Sequence, residues 1–152
     1  MLSIRKATLE DIQVLKHFID DHASNGFLLP RTLEQISEHI RDFFVAISED
    51  EKILGCVALQ VYTAQLAEIR SLAVDEKCRH LGIGKALVLK CMEEADILCL
   101  SRVFALTKIP AFFYKIGFKE IDRDLLPEKV FKDCRFCPNI DNCFETAVIK
   151  EL

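Results

Sequence analysis

The chain lacks a basic excess: 20 Lys and Arg stand against 24 Asp and Glu, a formal net charge of -4 with a pI near 5.6. A nucleic-acid partner is therefore not expected, because gripping a phosphate backbone calls for clustered positive charge. No uncharged apolar run approaches the roughly 18 residues of a bilayer span, so no membrane partner is expected either. The start, Met1-Leu2-Ser3-Ile4-Arg5-Lys6, is broken by charge at once and precedes no apolar block, unlike an export signal. The cytoplasm is the expected compartment. Seven cysteines, an odd number without such a signal, read as thiols or metal ligands rather than disulfides. Repeats and low-complexity tracts are missing, and so are two common phosphate-binding patterns, G-x-G-x-x-G and G-x-x-x-x-G-K-S/T.

What is present fits one compact domain, 1–152: 152 residues, 51% hydrophobic and 29% charged, able to bury about two thirds of the unfolded surface. Residues 3–7 alternate as a strand, and Thr8 is placed to cap a helix over 9–20 whose Ile12, Leu15 and Ile19 fall three and four apart. A loop over 21–30 precedes a second helix, 32–40, buried through Leu33, Ile36 and Ile40. Three strands follow, 43–47, 53–62 and 65–74, and the charged turn Ser48-Glu49-Asp50-Glu51 makes the first two an antiparallel pair. A helix then runs through Leu87, Val88, Cys91 and Met92 to about Ala95, and 103–106 is a short strand. Pro110 opens a brief helix through Tyr114, which Gly117 closes. The last strands, 118–122 and 146–149, flank an irregular piece, 123–144. The class is α/β (α+β).

Residues 68–89 carry the one recognisable chemistry. A strand, Glu68-Ile69-Arg70-Ser71-Leu72-Ala73-Val74, passes through a turn, 75–78, into a helix that starts Arg79-His80-Leu81-Gly82-Ile83-Gly84-Lys85. The first amides of a helix have no partners within it, and the peptide dipoles leave that end positive. Gly82 and Gly84 remove side chains that would hold a phosphate away, and Arg79 and Lys85 add charge, so a pyrophosphate is the expected guest. Two glycines in a first turn weaken the helix by roughly 1 kcal/mol each and need a reason. Strict alternation along the strand puts Glu68, Arg70, Leu72 and Val74 on one face and Ile69, Ser71 and Ala73 on the other.

Arg79-x-x-Gly82-x-Gly84 after Leu72-Ala73-Val74 resembles the acetyl-CoA signature of the GNAT N-acetyltransferases, and the order of elements resembles that fold as well. The resemblance implies a mostly antiparallel mixed sheet with splayed central strands and acetyl-CoA as co-substrate. It implies that the pantetheine arm pairs with the backbone at Leu72, Ala73 and Val74, and that the loop from Arg79 through His80, Leu81, Gly82, Ile83 and Gly84 to Lys85 holds the pyrophosphate. An N–H near Leu72 would polarise the thioester carbonyl. Glu68 matches a glutamate that many members use as general base, often through water; its other reading is a salt bridge with Arg70. The family's fourth motif ends in a tyrosine, three residues and Gly-Phe, but here Phe113 holds the tyrosine position and Tyr114 stands one residue later, about 100° round the helix. Tyr114, Thr107 or a water could then protonate the leaving thiolate, or it could leave unaided. Phe112 and Phe113 read as core.

A narrower resemblance, to the acetyltransferase domain of bacterial N-acetylglutamate synthases, covers 67–74, 103–118, Leu126-Pro127 and Val148-Ile149-Lys150-Glu151-Leu152. It implies transfer of acetyl to the α-amino group of L-glutamate, at the start of arginine synthesis, by a stand-alone short form; the alternatives are another amine (a protein N-terminus, a polyamine or another amino acid) or a non-catalytic acyl-CoA-binding sensor. A homodimer is compatible with it. Gly26 to Ile36 resembles the same domain, where an arginine at the place of Arg31 helps bind the substrate carboxylate. A dicarboxylate needs at least two cations, for which Arg31 comes first, Arg70 second and Lys108 third. Ser71 and Thr107 complete the expected substrate contacts.

Cys134, Cys137 and Cys143 could supply three ligands of a zinc site, but no fourth is evident nearby. Buried thiols are the favoured reading, ahead of zinc and of a redox-sensitive dithiol. Cys56, Cys78, Cys91 and Cys99 read as core or incidental. Of the histidines only His80 falls beside the expected phosphate loop.

Overall fold

The computed structural model describes residues 2–24, 28–126 and 145–152. The expected cysteine cluster lies outside these residues, as do Gly26, Phe27 and Pro127. In chain order the strands are β1 (Ser3–Lys6), β2 (Phe43–Ile47), β3 (Ile53–Val61), β4 (Leu66–Val74), β5 (Arg102–Thr107), β6 (Lys119–Glu120) and β7 (Thr146–Glu151). The helices are α1 (Ile12–Ser24), α2 (Leu33–Glu38), α3 (Ile83–Ile97) and α4 (Pro110–Tyr114). The strands form one sheet in the order β1-β2-β3-β4-β5-β7-β6, antiparallel throughout except for β4 beside β5.

Period-two alternation gives each strand two faces, and both are covered. Phe44, Val57, Leu59, Ala67, Ile69, Val103 and Val148 pack on one side against Ile83, Leu87, Val88 and Cys91 of α3. Phe43, Val45, Ile47, Cys56 and Ala58 pack on the other against Leu15 and Ile19 of α1 and Ile36 of α2. Leu15, Ile19 and Ile36 are fully buried; each contributes about 1.5–3 kcal/mol by leaving water. On that second side, Leu66, Phe104, Leu126, Ala147 and Ile149 form a separate apolar cluster under β5 and β7.

The expected loop over 21–30 begins too early, because α1 runs on to Ser24. Its last turn is fastened by polar contacts that apolar periodicity does not reveal. The His22 ring stacks on Phe18 with centroids 4.7 Å apart. Its Nδ1 lies 2.9 Å from the Phe18 carbonyl and its Nε2 lies 3.1 Å from the Val74 carbonyl at the end of β4. The helix expected to start at Arg79 starts at Ile83 instead. Asp75 accepts from the Lys77 N–H at 3.0 Å and opens a 3-10 turn, Glu76–Leu81, and Gly82 then takes φ +76 before α3 begins. The strand expected over 118–122 shrinks to Lys119–Glu120, with the Ile121 N–H still donating to the Ala147 carbonyl of β7 at 2.9 Å; Phe118 turns into the core.

Strict alternation along β4 fails at one residue. Ala58 pairs with Arg70 and Cys56 with Ala73, so three steps on β4 oppose two on β3, and Ser71 sits at φ +54. The bulge reverses the pleat. Leu72 and Val74 pack with Ile69 on the α3 side, and Ala73 joins the α1 side with Cys56 and Ala58. Glu68 and Arg70 keep their shared face, but Leu72 and Val74 are not on it.

Candidate active site

Parallel pairing of β4 with β5 covers Leu66↔Arg102, Ala67↔Val103 and Glu68↔Phe104 and stops there. Beyond Glu68 the strands splay, and β5 stays paired on its far side with β7 as far as Thr107. The half of β4 from Ile69 to Val74 therefore presents a backbone edge toward β5 and leads to the N-terminus of α3.

That terminus is built to be approached. Gly82 provides no side-chain cap and the first turn of α3 holds no acidic residue, so the positive end is not closed from within. A Cβ at Gly82 would meet nothing within 4 Å, whereas one at Gly84 would come 3.4 Å from Phe112 and 3.6 Å from Val74. The two glycines thus do different things: Gly82 permits the left-handed turn and leaves space, and Gly84 lets α3 close on α4 and β4. Arg79, His80, Leu81 and Lys85 are exposed around the turn, with Arg79 4.0 Å from Glu76, and Ile83 is buried in the core.

On the α1 side, polar residues fill the gap between the two apolar clusters. Glu68 is 6% exposed, and its Oε1 accepts from the Tyr62 hydroxyl at 2.7 Å. Arg70 Nε lies 3.8 Å from the same oxygen, and Arg70 Nη1 donates to Gln60 at 2.8 Å. Arg31, 5% exposed, stands over the Phe43 ring at 5.0 Å and donates to Ser71 Oγ at 3.4 Å. The Cys56 thiol donates to the Ser71 carbonyl at 3.3 Å; burial pushes its pKa up to about 12, so it stays a neutral donor beneath the bulge. Further along, burial raises the pKa of Glu145 against the opposing pull of Arg123, Lys108 and Arg70.

The structure therefore brings Glu68 and Arg70 together, sets Arg31 on Ser71, and lays Leu72, Ala73 and Val74 along the splayed edge. Thr107 is buried and its hydroxyl oxygen accepts from the Ile109 N–H at 2.9 Å. Tyr114 is 42% exposed, while Phe113 is buried edge-on to Phe112 and Phe118. Sequence reasoning did not single out His22, which bonds the very end of β4. Tyr62 was also not singled out. Hairpin register could have found it, since Gln60 pairs with Glu68 and Tyr62 follows two residues later.

A family model described as acetyltransferase (GNAT) domain matches residues 39–120. The chain belongs to the GNAT acetyltransferase family. An N-acetyltransferase of Chlorobaculum tepidum, itself uncharacterized, is 42% identical over 149 residues, 98% of this chain and 96% of that one. An amino-acid acetyltransferase of Mycobacterium tuberculosis is 37% identical over 135 residues, 87% and 77% of the two. N-acetylglutamate synthase from Neisseria gonorrhoeae, solved with coenzyme A and N-acetyl-glutamate, superposes with a TM-score of 0.89 at 29% identity. All of this chain is matched there, but it spans only 35% of that synthase.

The acetyltransferase uses acetyl-CoA as co-substrate, and its own residues fit that group. Open space at Gly82, an uncapped α3 and a splayed β4 edge offer a diphosphate and a flexible amide arm what each needs. Among the described residues no group of three or more His, Cys, Asp and Glu could hold a metal ion, and no helix is long and apolar enough to cross a membrane.

Proposed function

We propose that this enzyme acetylates the α-amino group of L-glutamate, at the start of arginine synthesis in the cytoplasm. The observation that carries the reading is a buried carboxylate, Glu68, beside Arg70 on the floor reached from the splayed edge of β4, with Arg31 on Ser71 further along the same strand. Similarity to an amino-acid acetyltransferase and to a synthase solved with N-acetyl-glutamate supports the choice of acceptor.

Acetyl-CoA supplies an activated acetyl thioester. The residues of the chain must hold it, hold the acceptor and take the first of the two protons that leave the acceptor nitrogen. The N–H groups of the first turn of α3, with Arg79 and Lys85, grip the diphosphate, and the Leu72 to Val74 backbone pairs with the pantetheine arm. The Leu72 N–H is the donor assigned to the thioester carbonyl, where a fixed donor can contribute about 3 kcal/mol. Arg31 and Arg70 receive the acceptor's two carboxylates. An amine at neutral pH is mostly protonated and attacks only when neutral, so Glu68 takes its proton. The C–N bond forms as the C–S bond breaks, the thiolate carries off the electron pair, and the nitrogen then releases its second proton, which goes to solvent or to the departing thiolate. Tyr114 keeps the candidate role of acid, though a thiolate with a pKa near 8.5 can also leave unaided.

The test is a thiol-release assay with acetyl-CoA against a panel of L-glutamate, L-glutamine, other amino acids, polyamines and N-terminal peptides. Glutamate is expected to give the highest kcat/KM. Turnover with a basic amine and none with glutamate removes the synthase reading while leaving the acetyltransferase intact.

A further inference from the structure

Glu68 cannot act as a base from an arbitrary rotamer; its carboxylate must be held where an amine can reach it. We propose that Tyr62 is a positioning residue that fixes the Glu68 carboxylate for proton uptake. The inference rests on the reading of Glu68 as general base and adds a residue to that site.

Tyr62 directly follows β3, in the turn to β4, where its N–H donates to the Leu66 carbonyl at 2.9 Å. That bond sets the tyrosine backbone against the strand that carries Glu68. The ring packs beside Phe104 of β5, with centroids 6.0 Å apart and planes inclined by 31°, and against the apolar cluster of Leu66, Leu126, Ala147 and Ile149. Backbone and ring are thus both tied down, so the hydroxyl has little choice of direction, and it donates to Glu68 Oε1 at 2.7 Å. A short O–H bond to a charged oxygen is among the stronger hydrogen bonds a side chain makes. Arg70 Nε, 3.8 Å from the same oxygen, approaches from within β4. A hydrogen bond from the hairpin and an ion-pair contact from β4 therefore converge on one carboxylate oxygen and hold its position.

Location makes this more than satisfaction of a buried acid. Phe104 is the residue paired with Glu68 at the last register before β4 and β5 part. Tyr62 braces that vertex from the hairpin side: its ring lies on the residue across from Glu68 and its hydroxyl lies on Glu68 itself. A carboxylate held at the apex of the splay faces the space where an acceptor amine would meet the thioester.

The experiment compares Tyr62→Phe with the parent enzyme, using whichever acceptor turns over fastest in the panel above. Phenylalanine keeps the ring and its packing and removes only the donor. A loosened base is expected to lower kcat about tenfold, with the KM for acetyl-CoA within about twofold. The acid limb of the pH profile should move upward by about half a unit or more, because a carboxylate that loses a hydrogen bond to its charged form takes up its proton more readily. Adding Tyr62→Phe to Glu68→Gln should cost nothing further, since there is no base left to orient. A lower kcat with an unmoved acid limb, or a further loss on the Glu68→Gln background, overturns the positioning role and leaves Tyr62 as packing. Glu68→Gln with parental turnover overturns the base reading instead, and the inference with it.

Discussion

The N-terminus of α2 is closed by its own side chains, and that of α3 is not. At α2, Thr32 Oγ1 accepts from the Gln35 N–H at 3.1 Å and Gln35 Oε1 accepts from the Thr32 N–H at 2.9 Å. The turn leading into α1 is finished in a similar way: Asp11 accepts from the Thr8 N–H at 2.7 Å and from two Arg5 nitrogens at 2.7 and 3.0 Å. α3, the longest helix among the described residues at 15 residues, begins at Gly82 with neither cap nor carboxylate. Caps of the first kind stabilise a helix by about 1 kcal/mol. An end left open forgoes that and keeps its amides for a guest. The contrast separates the part of the molecule that holds itself together from the part proposed to hold acetyl-CoA.

Closing the open end should therefore damage binding more than folding. Gly82→Asp places a carboxylate where a Cβ meets nothing within 4 Å, in a left-handed turn that aspartate tolerates better than most residues. It would cap α3 and set a negative charge against the diphosphate. The expected result is a KM for acetyl-CoA raised by about tenfold or more, since like charges brought together cost several kcal/mol. The melting temperature should stay within a few degrees of the parent, with the helix end favoured by about 0.3–1 kcal/mol. An unchanged KM would mean that the diphosphate does not lie there. A collapsed melting temperature would mean that Gly82 serves the fold rather than the ligand.

The next test moves to the acceptor side, where the grip is made of side chains instead of amides. Arg31→Lys keeps the charge but removes the planar fork that can meet a carboxylate at two points. The KM for glutamate should rise about tenfold, in line with about 1.5–3 kcal/mol for a hydrogen bond to a charged group. The KM for acetyl-CoA should not follow it, whereas Gly82→Asp should show the reverse split. If both constants rise together in Arg31→Lys, the arginine is supporting the Ser71 bulge as a whole, through the contact at 3.4 Å.

The same contrast decides what could be read from sequence. The open end of α3 was legible because an uncapped terminus depends on side chains being absent, and Arg79-x-x-Gly82-x-Gly84 after an apolar strand records that absence directly. The strands were legible through alternation, with β2, β3 and β4 falling close to their expected bounds. What was not legible depends on contacts between elements. Ser71 takes φ +54 with no glycine or asparagine to signal it, and that one residue turns Leu72 and Val74 away from Glu68 and Arg70. His22 reaches the Val74 carbonyl 52 residues away, and no local pattern announces that bond. Tyr62 meets Glu68 only because a hairpin folds back, so alternation counted along β4 alone could never reach it.

The smallest effect tests the closed end. The Arg5 guanidinium bonded to Asp11, and the Thr8 amide with it, hold the aspartate below its ordinary value of 3.8 despite the cost of burial. The folded state therefore binds its proton less readily than the unfolded chain, so the stabilisation is fully present above the ordinary carboxylate range and is lost as pH falls through the depressed folded value. Asp42 and Glu145 run the other way: burial raises both, and their contributions favour the folded state as pH falls. Acid unfolding of the parent mixes these signs, and only a difference curve isolates Asp11. Asp11→Asn should cost about 1 kcal/mol at neutral pH, discounted because the Arg5 side chain is 44% exposed and screened by solvent. Denaturant titrations of parent and variant should converge as pH falls through the depressed folded value of Asp11, below its ordinary 3.8. The KM for acetyl-CoA should be the same in both at neutral pH. A stability difference that persisted in acid would assign the loss to packing around α1 and not to the carboxylate, and the closed terminus would no longer stand as the counterpart of the open one.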